Sequence, residues 1–445
     1  MTEEFILNLI HQGRLVEART WISQMNAVDV ASWLEELDRN NILVIFRLLP
    51  KDMAAEVFSY LPNEDQEFII ESIADREIKS IIEELFLDDT VDLIEEMPAN
   101  IVKKVLKNTS EERRKLINQF LKYPEDSAGS LMTIEFVDLK KEMRVDEALA
   151  YIRKNGIDKE TVDICYVIDK NRKLEGIIPI RKLILNDTSQ IIKNIMITNI
   201  ISVHTLDDQE DVAAIFKRYD LLAVPVVDKE NRLVGIITID DIVDIIEQEN
   251  TEDFHKMAAM QPTDEEYLKT NVFTLARHRL PWLLVLMISA TFTGAIMQRF
   301  EDALAAMAVL YAFIPMLMDT GGNAGSQSAT LIIRGLALDE ISLGDTIKVV
   351  WKELGVSILV GIALAVVNFI RILITRQASP VVALTVSLSL IITLILSKVI
   401  GGALPILAKR MRMDPAIMAG PLITTIVDAL ALFSYFSLAS WLLGL

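Results

Sequence analysis

Cysteine is almost absent from this sequence. A single Cys165 in 445 residues excludes a disulfide framework, and its place in the apolar run Ile164–Ile168 points to a buried structural thiol in a reducing compartment. Histidine is nearly as scarce. His11, His204, His255 and His278 show no HxxH or HExxH spacing, and without cysteine partners they offer no soft-metal site. The first residues, MTEEFILNLI, lack the basic stretch and long apolar core of a secretory signal, which predicts that the segment following them stays in the cytoplasm. No nucleophile paired with a general base and no metal-hydrolase motif is present, so the chain is not expected to be an enzyme. Positive charge is also short, with 44 Lys/Arg against 63 Asp/Glu and a formal net charge of -19.

That deficit is confined to one part of the chain. From Pro281 onward there are 10 Lys/Arg and 9 Asp/Glu, so residues 1–280, with 34 basic and 54 acidic side chains, carry all of the excess. Such a surface repels nucleic acid and anionic lipid because both share its sign, and it concentrates cations around itself. Metal ions are the first partner to expect, and nucleic acid is not one.

The remaining third is apolar. Uncharged stretches cover residues 282–298, 303–318, 354–370, 377–397 and 415–445, the last interrupted only by Asp428. Each approaches or exceeds the ~20 residues that a membrane-spanning helix needs, so five spans in a lipid bilayer are predicted. Arg277, Arg279, Lys348, Lys352, Lys409, Arg410 and Arg412 flank one set of span ends and mark them as cytoplasmic. Arg299, Arg371 and Arg376 on the other side weaken the bias without reversing it, and an odd number of spans leaves Leu445 outside. Asp428 is the carboxylate inside the last span. An unpaired charge there costs at least ~2.5 kcal/mol, so it is expected to face a partner or a water-filled path. Gly420 and Thr424 fall on the same helical face, which reads as a pore lining. The segment PMLMDTGGNAGSQSAT, residues 315–330, breaks the apolar pattern with Gly321, Gly322 and Gly325. It is expected to be loosened or non-helical backbone set against protein or water. It is not a phosphate loop, having neither the following Lys-Ser/Thr nor a preceding strand.

Residues before about 127 have apolar side chains three or four apart in short segments closed by proline, as in FRLLP, FSYLP and IEEMP. Stacked short helices of an α-superhelix follow, with Asp88, Asp89 and Asp92 on one turn. Beyond YPEDSAGS the pattern becomes mixed and duplicated. CYVIDKNRKLEGIIPIRKLI aligns with VPVVDKENRLVGIITIDDIV at an offset of 59, so Asp169 matches Asp228 and Gly176 matches Gly235. Each copy reads strand, helix, strand, turn, strand, helix, and resembles a cystathionine-β-synthase (CBS) domain. Within that resemblance Thr238 and Asp241 look like a nucleotide motif, for phosphate and ribose of ATP, while the first copy has Pro179 in place of the threonine. Carboxylates are dense in the second copy and after it, from Asp207 to Asp253. Two unit charges 4 Å apart interact by ~4 kcal/mol at an effective dielectric near 20, so such faces pack together only around counterions, and hard oxygen-liganded ions fit them. A helix over residues 240–269 is expected to join this sensor to the first span.

The order of these parts, together with PMLMDTGGNAGSQSA and PAIMAGPLITTIVD, resembles the MgtE magnesium transporters over the whole chain. The resemblance implies a multi-domain fold. An all-α superhelical domain (1–128) is followed by α/β tandem CBS domains (129–188 and 189–246), a linking helix (247–275) and an α-helical five-span pore domain (276–445). It further implies a homodimer, joined through the CBS and membrane domains, that forms a magnesium-selective channel in the bacterial plasma membrane. Asp428 then takes the position of the pore carboxylate. Closure by intracellular Mg²⁺ would fall to Asp88 and Asp92, to Asp208, Glu210, Asp220, Asp241 and Asp244, and to Glu249, Glu252 and Asp253. Mg²⁺ gives up water reluctantly and takes only one or two carboxylates, which suits both roles. Two other readings are open from sequence: a cation-coupled exchanger with Asp319 as a second ion site, and a membrane-tethered nucleotide sensor.

Overall fold

The computed structural model describes residues 2–263, 267–268, 270–300 and 307–444. They form two compact units, Met1–Ile246 and Glu247–Leu445.

The first unit opens with ten short helices, α1 (Thr2–His11) to α10 (Glu111–Phe120). The prolines that the sequence reads as helix ends are also helix starts. Pro50, Pro62 and Pro98 are the N-caps of α5 (Lys51–Ser59), α6 (Asn63–Ser72) and α9 (Ala99–Asn108). A proline has no N–H to lose at that position, and its ring forces the residue before it out of the helical region. Leu49 and Met97 are accordingly extended, with ψ 146° and 147°. One side of each helix is buried, and these sides form a continuous core from Ile6 to Phe120. That core continues into the second CBS copy through Val203, Val212, Phe216, Val224, Ile237 and Ile242, while the first copy keeps a separate core around Val145, Cys165 and Ile178.

The duplication is exact in register. The first copy contains β1 (Asp138–Leu139), α11 (Val145–Asn155), β2 (Ile164–Ile168), β3 (Leu174–Pro179) and α12 (Ile180–Leu185). After the short α13 (Ile192–Ile195) come β4 (Val203–His204), α14 (Gln209–Tyr219), β5 (Ala223–Val227), β6 (Leu233–Thr238) and α15 (Ile239–Met257). Ile164 pairs with Pro179 as Ala223 pairs with Thr238, and both hairpins are bulged at equivalent places. Asp169 and Asp228 each accept backbone N–H groups two and four residues on, which builds the same turn twice. The lead-in segments are exchanged between copies. Ala128 and Gly129 donate to the carbonyls of Asp207 and Thr205, and Thr133 bridges to Ile236, whereas Ile192 donates to Met143 and Ile197 pairs with Ile177. Residues 127–134 therefore complete the second copy and residues 190–197 the first, an interleaving that the sequence boundaries at 128 and 188 do not express.

Helix α15 ends at Met257 rather than running to residue 269. Ala259 adopts a left-handed conformation, φ 54°, and Met260 donates back to the His255 carbonyl, which closes the helix. Lys269 and the start of the second predicted span, residues 303–306, lie outside the described residues. Among the described residues of the second unit four helices are long and apolar enough to cross a membrane: α16 (Val272–Arg299), α18 (Thr346–Thr375, with its preceding turn), α19 (Pro380–Arg410) and α20 (Gly420–Leu443, with its preceding turn). Between them lies α17 (Ile314–Ala337), whose 24 residues extend roughly 36 Å.

Helix α17 corrects the sequence reading, because residues 315–330 are continuously helical rather than loosened. The glycines serve close packing instead. A Cβ on Gly321 would meet Thr393 of α19 and Val427 of α20, one on Gly322 would meet Thr424, and one on Gly325 would meet Ile423. Small residues that let backbones approach are what hold membrane helices together where lipid is as apolar as the side chains. The tightest point is Gly401 of α19 against the Gly325 carbonyl of α17. Gly401→Ala is expected to force these helices apart at a cost of about 1–3 kcal/mol, whereas Gly361→Ala, whose Cβ meets Ile391 at an ordinary 3.5 Å, should be tolerated. Thermal unfolding of the detergent-solubilised variants checks this contrast.

Candidate functional site

The first carboxylate group in unit one is built on α8 (Leu87–Glu96). The chain enters this helix at Phe86, which places Asp88 and Asp89 in the first turn and Asp92 one turn later on the face of Asp88. Asp241, from the first turn of α15, acts on both Asp88 and Asp92, and Glu160 from the loop before β2 completes the group. Asp88 is buried and its Oδ1 has no hydrogen-bond partner, and Glu160 Oε2 is likewise unpartnered. Burial, then repulsion from Asp89, Asp241 and Glu160, holds the Asp88 carboxyl well above its usual range. Burial, then repulsion from Asp241 and Asp240, pushes Glu160 up to about 8, and burial with repulsion from Asp240 pushes Asp89 and Asp241 to about 6. Asp92 opens to solvent, and the surrounding protein followed by Asp89, Glu96 and Glu95 pushes it to about 7. Arg113 is the nearby cation, but its guanidinium donates to the carbonyls of Leu85 and Phe86 and to Thr90. A cavity of about 200 Å³ adjoins the group, lined by Phe58, Gln66, Asp89, Asp92, Leu93 and Glu96. It is large enough for several waters.

Other sequence candidates are not gathered there. Asp208 and Asp220 cap opposite ends of α14, roughly 16 Å apart along an 11-residue helix, so they cannot share one ion. Asp208 accepts the Glu210 N–H at 2.9 Å, and Asp220 is the left-handed terminal residue at φ 51°. Asp244 lies one turn beyond Asp241, where its charge reaches Tyr60 together with those of Asp240 and Asp89. Thr238 donates its hydroxyl to Asp241 Oδ2 at 2.8 Å, so the two nucleotide-motif side chains are in mutual contact. At the matching position of the first copy Pro179 opens α12 and offers no hydroxyl.

A second group sits in unit two at the end of α15. Lys256 Nζ lies 2.5 Å from Glu252 and 2.6 Å from Asp414, the N-cap of the turn Pro415–Met418. Burial opposes the lysine charge, but the carboxylates of Asp414 and Glu252 outweigh it and hold the ammonium above its usual range. Asp253 is half-buried, and burial followed by Asp414 pushes it to about 6, with Glu249 and Glu252 adding to the rise. Among the described residues, no three His, Cys, Asp or Glu side chains are gathered closely enough to hold a metal ion by themselves.

The pathway candidate lies on α17 and α20. Gly321 faces Val427, Gly322 faces Thr424 and Gly325 faces Ile423, so the two helices run antiparallel with residue numbers summing to about 747. Continuing that register sets Asp319 level with Asp428. Asn323 donates to Asp319 Oδ1 at 3.2 Å, and Asp319, Asn323, Gln327 and Thr330 form an exposed polar face on α17. Thr424 and Thr425 turn their hydroxyls back to the Pro421 carbonyl, so both hydroxyls are satisfied within the helix. Asp414, Lys256 and Glu160 escaped the sequence reading, because no local pattern distinguishes them from ordinary surface charges.

Comparison with known proteins follows these features along the chain. The model of the MgtE divalent cation transporter family matches residues 314–438, that of the MgtE intracellular N domain matches residues 25–126, and the CBS domain model matches residues 192–248. The magnesium transporter MgtE of Thermus thermophilus is 37% identical over 362 residues, covering 80% of each chain. That of Bacillus subtilis is 35% identical over 353 residues, covering 79% of this chain and 78% of the relative. The cytosolic domain of the Mg²⁺ channel MgtE in complex with ATP is similar at 34% identity and a TM-score of 0.52, over 54% of this chain and 98% of that one. With its helical and CBS parts preceding a bundle of apolar helices that carries Asp428, this chain belongs to the MgtE family of divalent cation transporters.

Proposed function

We propose that this protein carries Mg²⁺ across the bacterial plasma membrane along α17 and α20, and that the carboxylate groups of its cytoplasmic part sense the same ion. The observation that carries the reading is Asp428 on a membrane-length helix, level with Asp319 on the polar face of α17. Lipid cannot solvate that face, so it has to meet water or protein. Carboxylates that offer only one or two oxygens suit an ion that keeps most of its water and must leave again. Coupling to Na⁺ or H⁺ is the second reading, and the pairing of Asp319 with Asp428 is what favours it. Mg²⁺ flux into liposomes that does not respond to Na⁺ or H⁺ gradients would eliminate coupling.

A homodimer is supported by the same polar face and by exposed apolar residues at equivalent places of the CBS copies, Ile184 and Val243, which are 64% and 55% exposed. With the four membrane-length helices and α17 as the fifth crossing, the chain's end would lie outside the cell and residues 1–246 inside.

The residues of the first group fit a divalent cation. Asp88 Oδ1 and Glu160 Oε2 are buried acceptors without donors, and the group has more negative charge than Arg113 neutralises. Asp88, Asp92 and Asp241 would surround an ion that keeps most of its water, with Glu249, Glu252 and Asp253 beside Asp414 as the second locus and Asp208, Glu210, Asp220 and Asp244 acting at a distance. A bound Mg²⁺ supplies the positive charge that allows these faces to stay packed. ATP is read onto Thr238 and Asp241. Its phosphates carry the same sign as the neighbouring carboxylates, so a nucleotide at this position is expected to enter with a cation.

Asp428→Asn should abolish Mg²⁺ uptake in a transport-deficient bacterium while the protein still reaches the membrane. Unchanged uptake would refute the pathway assignment. The Asp88→Asn/Asp92→Asn pair should raise the internal Mg²⁺ needed to stop flux, measured as channel current in excised patches. Stability follows pH by linkage. Asp89, Asp92, Glu160 and Asp241 titrate at about 6 to 8 when folded and near 4 when unfolded, so the folded state binds more protons across that window. In metal-free buffer the cytoplasmic part should therefore become less stable as pH rises from about 4 to 8, and Mg²⁺ should remove most of that dependence. Hydrogen exchange of the full chain at several pH values measures it.

A further inference from the structure

Glu353 and Lys398 flank the uncharged runs 354–370 and 377–397, yet both are buried inside the bundle, 9% and 6% exposed. They converge on Ser328 of α17, itself 1% exposed. Ser328 donates its hydroxyl to Glu353 Oε2 at 2.6 Å, and Lys398 Nζ donates to Ser328 Oγ at 3.4 Å. Ser328, Glu353 and Lys398 lie roughly 14, 11 and 18 Å along their helices from the ends at Ala337, Thr346 and Arg410. Around them the packing is tight. A Cβ on Gly402 would meet Glu353 Cγ at 3.0 Å, and Gly401 rests on Gly325, one turn of α17 from Ser328.

Glycine faces bring these helices together with little directional preference, and toward the end of α17 Lys409 Nζ donates to the Leu336 carbonyl at 3.3 Å. A hydrogen bond from Ser328 has direction. Residues on a helix are fixed to one another at about 100° per position, so holding Ser328 on Glu353 also sets where Asn323, Asp319 and Gln327 of the same helix point. Glu353 alone would be an uncompensated charge in the bundle, and Lys398 supplies the balance.

We propose that Lys398 and Glu353, bridged by Ser328, are positioning residues for transport: they fix the rotation of α17, and with it the polar face that the ion passes. The proposal rests on the pathway reading above. The bridge itself binds no ion, since its carboxylate already has a donor and its lysine repels cations.

The test uses the full chain reconstituted in liposomes, with Mg²⁺ uptake read by an internal indicator and melting followed in parallel, and with Asp428→Asn as the control for the pathway. Lys398→Met or Glu353→Gln alone leaves one charge unpaired, and each should lower the melting temperature and reduce uptake. The double variant Lys398→Met/Glu353→Gln should recover the melting temperature but keep a KM for Mg²⁺ raised roughly tenfold, the scale of a sub-ångström displacement. Ser328→Ala should raise KM similarly with both charges present, and Ser328→Thr should restore it. Parental KM in both the double variant and Ser328→Ala would reduce the bridge to structural glue and overturn the proposal. So would single variants with parental melting and uptake. Loss of uptake in none of the variants, Asp428→Asn included, would instead strike the pathway reading.

Discussion

A carboxylate removed from water needs a positive charge close by, and this structure meets that demand in three ways. In the first unit Asp88, Asp89, Asp92, Glu160 and Asp241 crowd together with Arg113 already engaged on backbone carbonyls, so protonation or an external cation has to supply the balance. In the second unit Lys256 supplies it for Glu252 and Asp414. Deep in the bundle Lys398 supplies it for Glu353 through Ser328. What separates these groups is whether the counter-charge is part of the chain. Where it is, the carboxylate has its partner without help from the solution. Where it is missing, the contact depends on what the solution provides.

The architecture places these groups where that difference has effect. The core of the helical N-terminal part merges with that of the second CBS copy, which is also the copy that begins α15. Charge at α8 and at the first turn of α15 thus acts on a packed interface, and interfaces of this kind change in steps because their interiors are as dense as crystals. The exchange of lead-in segments between the CBS copies ties them into one body. In the bundle, close glycine packing gives α17 its neighbours, while the hydrogen bonds at Ser328 and from Lys409 to the Leu336 carbonyl add direction.

Much of this was legible in order but not in place. The repeat at an offset of 59 predicted the register of two hairpins, because identical spacing of glycine, aspartate and apolar residues forces identical pairing. The apolar runs predicted α16, α18, α19 and α20, since only helices satisfy their backbone in lipid. The polar glycine segment misled, because glycine reads as a helix breaker in water and acts as a packing surface between membrane helices. The linking helix ends earlier than the sequence pattern predicts, because a left-handed Ala259 leaves no trace in composition. Asp208 and Asp220 looked like partners in a list of carboxylates, but α14 separates them.

By itself the sequence determined the sign of the soluble part, the apolar segments, the duplication and the presence of Asp428 within a span, because charge, hydropathy and repeat are properties of composition and spacing. Only the tertiary structure decided which carboxylates meet. Glu160 with Asp88, Asp414 with Lys256, and Glu353 with Ser328 and Lys398 are brought together across 25 to more than 150 residues by the packing of helices, and no local pattern encodes a contact that depends on how distant faces fit.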